Sequence, residues 1–224
     1  MLTGIATYGG LLKEPHWTAV PPGEWPRLAA ALSPLRLEAG EFFMRPGDPA
    51  GRIGLIRKGL IRFYYVEEDG REVTKAFRTE GEWVSAYVEF LLDMPCRSHI
   101  QALEDTELAQ LRREDVERLY TSHPCWSELG RRLAETQYLI KDARESDFMR
   151  LSAGQRYAQF LRDQPRLAGR LPQYHIASYL GITPVGLSRI ASAMRSARPA
   201  GTPEDQGREA RAGSRSRAAG AVRG

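Results

Sequence analysis

The stretch HIASYLGITPVGLSRI, residues 175–190, has the pattern of two helices joined by a sharp turn. Gly181 allows the tight backbone turn between them, and Thr183 is placed to cap the second helix. Pro184 would occupy the first helical position, where its missing N–H costs nothing. Helical spacing turns three apolar residues of the first helix inward: Ile176, Ala177 and Leu180. The stretch therefore predicts a helix-turn-helix.

The outward face of the second helix would enter a DNA major groove. We expect base contacts from Val185, Ser188 and Arg189, of which Arg189 is able to make a bidentate contact to guanine. Five further residues are expected to contact the DNA backbone: Gln173, Tyr174, Thr183, Ser192 and Arg195. A generic helix hairpin explains the apolar spacing equally well, but it does not predict a small-residue turn and a capped second helix.

The net charge of +4 conceals an uneven distribution along the 224 residues. Residues 1–149 carry 19 Lys/Arg against 24 Asp/Glu, whereas residues 150–194 carry six Arg and one acid. Residues 195–224 carry seven Arg and three acids. Only the C-terminal part therefore has the charge expected of a surface that binds a polyanion. A basic surface without such a partner is the alternative.

Residues 35–111 show short strands separated by turns, after a short amphipathic helix over residues 26–34. Val66 to Val73 predicts a hairpin around Asp69-Gly70. Short, regularly spaced strands favour a jelly roll. We place this β sensor domain at residues 25–112, after an N-terminal segment of residues 1–24, and expect helix from about Arg113.

A long helix follows, in a dimerisation region that we place at residues 113–147. Its apolar residues alternate at spacings of three and four, as in the seam of a two-stranded helix pair. The predicted dimer interface consists of Trp126, Leu129, Leu133, Thr136, Ile140 and Ala143. The alternative is that the same residues pack against the sheet of their own chain.

The predicted helix-turn-helix domain covers residues 148–198 and begins with another amphipathic helix. Residues 199–224 are a basic Gly/Ala/Arg/Ser tail with no apolar period, which predicts disorder. No strand pattern follows the second helix of the motif, so we expect no β-wing. The predicted fold class is thus α+β: an N-terminal jelly roll, a long central dimerisation helix and a C-terminal helix-turn-helix.

This layout resembles the cyclic-AMP receptor protein/FNR superfamily of bacterial transcription regulators over roughly residues 25 to 195. The matching motifs are RPGD (45–48), IRKGLIRFYYVEEDGREV (56–73), GEWV (81–84), ALEDTEL (102–108) and IASYLGITPVGLSRI (176–190). The resemblance implies a cyclic-nucleotide-binding-like sensor, a homodimer, and double-stranded DNA with an inverted-repeat operator as partner. RNA polymerase is a further candidate partner.

The chain departs from that family in the phosphate cassette that follows GEWV. Nucleotide-binding members carry a Gly-Glu pair there, but Ser85 and Ala86 stand in this sequence. The arginine that pairs with the cyclic phosphate aligns with Cys96, and Arg97 would point to the other side of a strand. We therefore expect no cyclic-AMP binding. The effector pocket, for an unknown molecule or for none, is placed at Ser85, Ala86, Cys96 and Arg97.

No cofactor, metal or enzymatic activity is expected. Two cysteines are too few for an iron–sulfur cluster of the family type, and a lone His99 is more often structural than a heme ligand. The four histidines show none of the close pairing that metal-dependent jelly-roll enzymes use. Without a run of about 18 apolar residues or a signal-peptide pattern, we expect a cytoplasmic protein with no membrane partner.

The sequence thus predicts a homodimeric DNA-binding transcription regulator that senses an unknown small molecule, or none, rather than cyclic AMP. The alternative is a ligand-binding sensor module whose degenerate DNA-binding domain acts through protein contacts.

Overall fold

The computed structural model describes residues 20–196. The predicted tail of residues 199–224, and most of the predicted N-terminal segment of residues 1–24, lie outside this range. The predicted α+β class is confirmed.

The strands of the described chain form two four-stranded antiparallel sheets that face each other. One has the order β1-β8-β3-β6 and the other β2-β7-β4-β5. In chain order the strands are β1 (Ser33–Leu37), β2 (Phe42–Met44), β3 (Arg52–Lys58), β4 (Ile61–Val66), β5 (Glu72–Arg78), β6 (Trp83–Val84), β7 (His99–Ala102) and β8 (Thr106–Arg112).

Helices precede, interrupt and follow the sheets. They are α1 (Trp25–Ala31), α2 (Tyr87–Leu92), α3 (Arg113–Ser122), α4 (Pro124–Arg150), α5 (Ala153–Asp163), α6 (Pro165–Arg170), α7 (Gln173–Leu180) and α8 (Pro184–Ser196). The predicted start of helix at Arg113 is confirmed. The first helix ends earlier than its pattern suggests, because Ser33 already pairs with Gln110 in β8.

Turn residues set the strand pairing. Gly70 has φ +81° in the β4–β5 hairpin, whose register pairs Val66 with Glu72, as Asp69-Gly70 predicts. Gly59 has φ +113°, and a Cβ there would lie 2.7 Å from the Thr106 Cα. Only glycine fits at this position, where two strands approach closely.

The space between the sheets is filled by apolar side chains. Phe43, Ile61 and Ile100 are fully buried, and Cys96 lies among them. Burying a side chain of this size contributes about 1.5–3 kcal/mol, so the sandwich is held together by its own interior.

Strand β5 is the outer strand of its sheet, and its free edge is covered by the helical part of the chain. The Thr74 N–H donates to Ser178 Oγ of α7 over 2.9 Å. The same hydroxyl donates to the Glu72 carbonyl over 2.8 Å. A sheet edge presents unpaired backbone groups that need partners, and α7 supplies two of them here.

Arg144 of α4 covers the next part of this edge. Its guanidinium donates to the carbonyls of Lys75, Thr74 and Tyr179, and stacks over the Tyr179 ring with 4.1 Å to the centroid. Burial lowers the pKa of Arg144, yet an arginine stays charged in a protein. Carbonyl oxygens and an aromatic face therefore compensate this cation.

Ion pairs join α6 to two turns of the sandwich. Arg170 Nη1 lies 2.9 Å from Glu80 Oε2, and Arg170 Nη2 lies 2.7 Å from Glu104 Oε2. Glu80 follows β5, and Glu104 lies between β7 and β8. These contacts lower the pKa of Glu80 to about 2, chiefly through its hydrogen bond from Arg170.

We expect Arg144→Met to lower the free energy of unfolding by about 2–4 kcal/mol, because three carbonyls lose a buried donor. Arg132→Met on the same helix is the matched control. Arg132 is 44% exposed and pairs with Glu128, so its loss should cost less than about 1 kcal/mol. Urea unfolding measures both, and equal losses would contradict the role assigned to Arg144.

Stability should fall as the pH drops below the ordinary Glu80 pKa of 4.5 towards about 2. The folded pKa is depressed, so the contribution is present above 4.5 and lost on protonation. Because Glu80 is 44% exposed, solvent screening limits the effect to about 1 kcal/mol. Urea unfolding over this pH range should show a smaller acid-dependent loss for Glu80→Gln. Glu107→Gln, at an exposed pair with Arg36, should behave as the unmutated protein.

Candidate DNA-binding surface and effector site

The turn between α7 and α8 has the geometry that the sequence predicts. Gly181 is left-handed with φ +69°, and the Ile182 N–H donates to the Ala177 carbonyl over 3.0 Å. Thr183 Oγ1 accepts from the Gly186 N–H over 3.1 Å, which caps the start of α8. Pro184 is the first residue of that helix.

The predicted base-contacting residues all lie on α8 and are exposed. Val185 is 63% exposed, and Ser188 and Arg189 are also exposed. At spacings of three and four they fall on one face of the helix. Among the predicted backbone contacts, Ser192 and Arg195 are exposed and hydrogen bond to each other over 3.0 Å.

The remaining predicted backbone contacts precede α8. Gln173 and Tyr174 are exposed at the first turn of α7, with Tyr174 at 56%. The Thr183 oxygen serves as a cap acceptor, which leaves its O–H free to donate. A helix N-terminus with such donors favours phosphate. The DNA roles of all eight residues stay predictions.

Two of the predicted effector-pocket residues lie in the sandwich core. Ala86 and Cys96 are 4% and 2% exposed and belong to the apolar cluster between the sheets. The Cys96 thiol donates to the Ser98 carbonyl over 3.1 Å, and burial raises its pKa. Neither residue lines the cavity described below, and their place in an effector pocket stays a prediction.

Arg97 points away from the interior, but it lies before β7 and not within a strand, so strand alternation is not the reason. Its side chain is 63% exposed, and its Nε lies 2.7 Å from the buried Glu89 Oε1. Arg97 does not line the cavity described below, and its place in an effector pocket stays a prediction.

A cavity of about 150 Å³ lies nearby, between the β3-β6-β8 side of the sandwich and helices α1, α3 and α4. Ser85 alone of the four predicted residues lines it, and its hydroxyl donates to the Arg52 carbonyl over 3.2 Å. Trp83 and Trp126 form part of the wall. Gly130 and Ala134 are small residues one helical turn apart on α4. In the sequence, this spacing was the one pattern that could have indicated a cavity beside the helix.

The predicted dimer seam is partly corrected. Trp126 and Leu129 are 2% and 6% exposed and pack in a core cluster of their own chain, with the Trp126 indole N–H 3.0 Å from Glu24 Oε2. Ala143 is also buried, at 4%. These three cannot form a dimer interface, because one chain already covers them. For these residues the alternative of packing within the chain is right.

The other seam residues are half-buried: Leu133, Thr136 and Ile140. Leu133 also packs against the same core cluster. Their part in a dimer stays a prediction. The exposed apolar surface of α4 lies elsewhere, at Tyr138 with 69% exposure, Phe148 with 39% and Met149 with 74%.

Residues 20–196 contain neither a cluster of metal-ligating side chains nor a membrane-spanning helix. No group of three or more His, Cys, Asp or Glu side chains in this range is arranged to hold a metal ion. No helix in it combines the length and apolarity needed to cross a membrane.

Comparison with known proteins agrees with this architecture. Residues 34–123 match the family described as the cyclic nucleotide-binding domain. The transcriptional activator protein Anr of Pseudomonas aeruginosa is 27% identical over 167 residues, which cover 69% of this chain and 67% of that protein. The global nitrogen regulator of Synechocystis is 28% identical over 194 residues, covering 75% and 82% of the two chains.

Solved structures share the fold. The c-di-GMP-responsive global regulator CLP of Xanthomonas campestris has a TM-score of 0.64 at 19% identity, covering 79% of this chain and 92% of its own. FixK2 of Bradyrhizobium japonicum has a TM-score of 0.62 at 23% identity, covering 74% and 85%. The matched domain, the regulators aligned beyond it and the shared architecture agree: the chain is similar to transcriptional regulators of the Crp/Fnr superfamily and shares their fold.

Proposed function

We propose that this protein is a homodimeric transcription regulator that binds an inverted-repeat DNA site through α8. The observation that carries the proposal is the capped helix α8, whose exposed face presents Val185, Ser188 and Arg189 at helical spacing. The basic charge of residues 150–194 supports a polyanionic partner.

Direct readout of bases would be modest. Arg189 is the one side chain among these three with a fork of donors for guanine, whereas Val185 offers apolar contact to a thymine methyl. Specificity would then depend also on the spacing of two half-sites, about 34 Å apart, and on DNA shape. RNA polymerase, as a further candidate partner, would bind this dimer.

Self-association is proposed through the uncovered side of α4. Tyr138 is 69% exposed, and Phe148 and Met149 extend the apolar surface towards the end of the helix. A symmetric dimer pairs the same surface of two copies, so Tyr138 of each copy would contribute to the interface. The proposal replaces the buried part of the predicted seam with a surface that a second copy is able to reach.

Cyclic AMP is not the proposed effector. A nucleotide site needs a carboxylate for the ribose and an arginine for the phosphate, and Ala86 and Cys96 stand at those aligned positions inside the core. The effector, if one acts, binds through other chemistry.

Arg189→Ala should weaken binding to the specific operator by about 1–3 kcal/mol and relax base preference at one position of each half-site. Arg71→Ala, at an exposed hairpin position of the sensor, is the control. Operator fragments selected from random sequence, titrated at several salt concentrations, supply the measurement. Arg189→Ala binding like the unmutated protein would remove this residue from the reading face.

A salt-independent titration with no sequence preference would instead favour the alternative, a sensor module that acts through protein contacts.

Tyr138→Glu should shift the protein from dimer to monomer, because a symmetric interface would bring two carboxylates together in an apolar contact. Sedimentation velocity measures the shift. Ile140→Glu, on the half-buried side of the same helix, tests the three remaining residues of the predicted seam. Dissociation by Ile140→Glu with Tyr138→Glu still dimeric would place the interface on the seam.

A further inference from the structure

The cavity beside α4 is surrounded mainly by apolar and aromatic side chains. Its walls include Trp83, Trp126, Leu129 and Leu133. At about 150 Å³ it is smaller than the roughly 300–1,000 Å³ of drug-sized sites, so a ligand would be compact. Apolar cavities of about this size bind small hydrocarbons in other proteins.

Small residues on α4 keep this space open. Gly130 and Ala134 line it one helical turn apart. A Cβ at position 130 would lie 2.9 Å from Tyr120 Cζ and closer still to its hydroxyl, so glycine is needed there to admit the tyrosine. Ala134 also lines the cavity, so a larger apolar residue there would extend into it. An empty cavity costs stability, so a binding role accounts for the small side chain.

Among the described residues, Arg78 is the one cation in the cavity wall, and its side chain is 17% exposed. Its guanidinium donates to Gln137 Oε1 over 2.5 Å and to the Phe77 carbonyl over 2.8 Å. The Glu82 carboxylate lies 3.9 Å from Nε, beyond hydrogen-bond distance, and its other oxygen accepts from the Thr79 N–H over 2.7 Å. A guanidinium has five N–H donors, so donors remain for an anion.

Lys141 lies within electrostatic reach of two other cations, Arg78 and Lys75. Lys75 and Arg78 both lower the pKa of Lys141, after the larger effect of burial. A region where cations repel one another gains from a bound negative charge. Glu89 opposes this field, but its carboxylate already accepts a hydrogen bond from Arg97 over 2.7 Å.

The lining contains no histidine, cysteine or methionine among the described residues. These are the usual protein ligands of heme iron, and the described lining also has no Asp or Glu, so the phenols of Tyr87 and Tyr120 are its only ionisable oxygen ligands for heme iron or a metal ion.

We propose that this cavity binds a compact apolar carboxylate, with its hydrocarbon part between Trp83 and Trp126 and its carboxylate at Arg78. The ligand would be the effector of the regulator, a role that rests on the proposed function, whereas the binding itself does not. Because α4 also carries Arg144 and Tyr138, a ligand here would contact the helix that reaches both the β5 edge and the proposed dimer surface.

Octanoate tests the proposal, with 1-octanol as the uncharged comparison and the purified full-length protein without DNA. Isothermal titration calorimetry measures affinity, and emission of Trp83 and Trp126 reports occupancy. We expect saturable octanoate binding. Arg78→Met should weaken it about tenfold or more while leaving octanol binding within about twofold. Arg71→Met, an exposed arginine away from the cavity, should change neither.

Ala134→Phe should abolish binding of both probes by filling the cavity, and Ala134→Leu provides a milder version if the larger ring prevents folding. Absence of saturable octanoate binding, as when a partner's helix fills the space, overturns the proposal. So does octanoate binding that is insensitive to both Arg78→Met and the position 134 variants. Each result is independent of DNA affinity, so failure here is distinguishable from failure of the proposed function.

Discussion

The free edge of β5 is the constraint on which the arrangement of residues 20–187 depends. A sheet edge leaves N–H and C=O groups without partners, and these must be satisfied or exposed to water. Here Ser178 and Arg144 provide the partners, one from α7 and one from α4. Because both helices use the same strand, the sandwich, the long helix and the first helix of the DNA-binding motif are joined by hydrogen bonds between these two side chains and the β5 backbone.

Successive parts of helix α4 contact different parts of the protein. Its N-terminal half carries Trp126 and Leu129 into the core and lines the cavity with Gly130 and Ala134. Its middle exposes Tyr138, and Arg144 near its end binds the β5 edge. The cavity, the proposed dimer surface and the sheet edge therefore share one helix, and the Arg170 ion pairs are a second contact between the helical part and the sandwich.

Local patterns predicted local structure well. Gly181 and Thr183 were recognisable because a left-handed turn and a helix cap each depend on one or two residue types at fixed positions. Asp69-Gly70 predicted its hairpin for the same reason. The seam on α4 was misjudged because spacings of three and four identify an apolar face without identifying what covers it. Trp126 is buried in the core of its own chain. Tyr138 is not part of the predicted seam, and it is exposed.

By itself the sequence determined the order of the elements, the turn chemistry and the uneven charge, since each is written in residue type and spacing. The absence of a nucleotide-binding carboxylate and arginine is what the family resemblance implies. Tertiary structure decided which apolar residues were inside. It also turned Cys96 inward and Arg97 outward, set Ser85 and Arg78 at one cavity, and brought Arg144 to β5. These outcomes depend on contacts between residues up to about a hundred positions apart, such as Thr74 with Ser178. No local pattern encodes such contacts, because packing selects among all apolar faces of the chain at once.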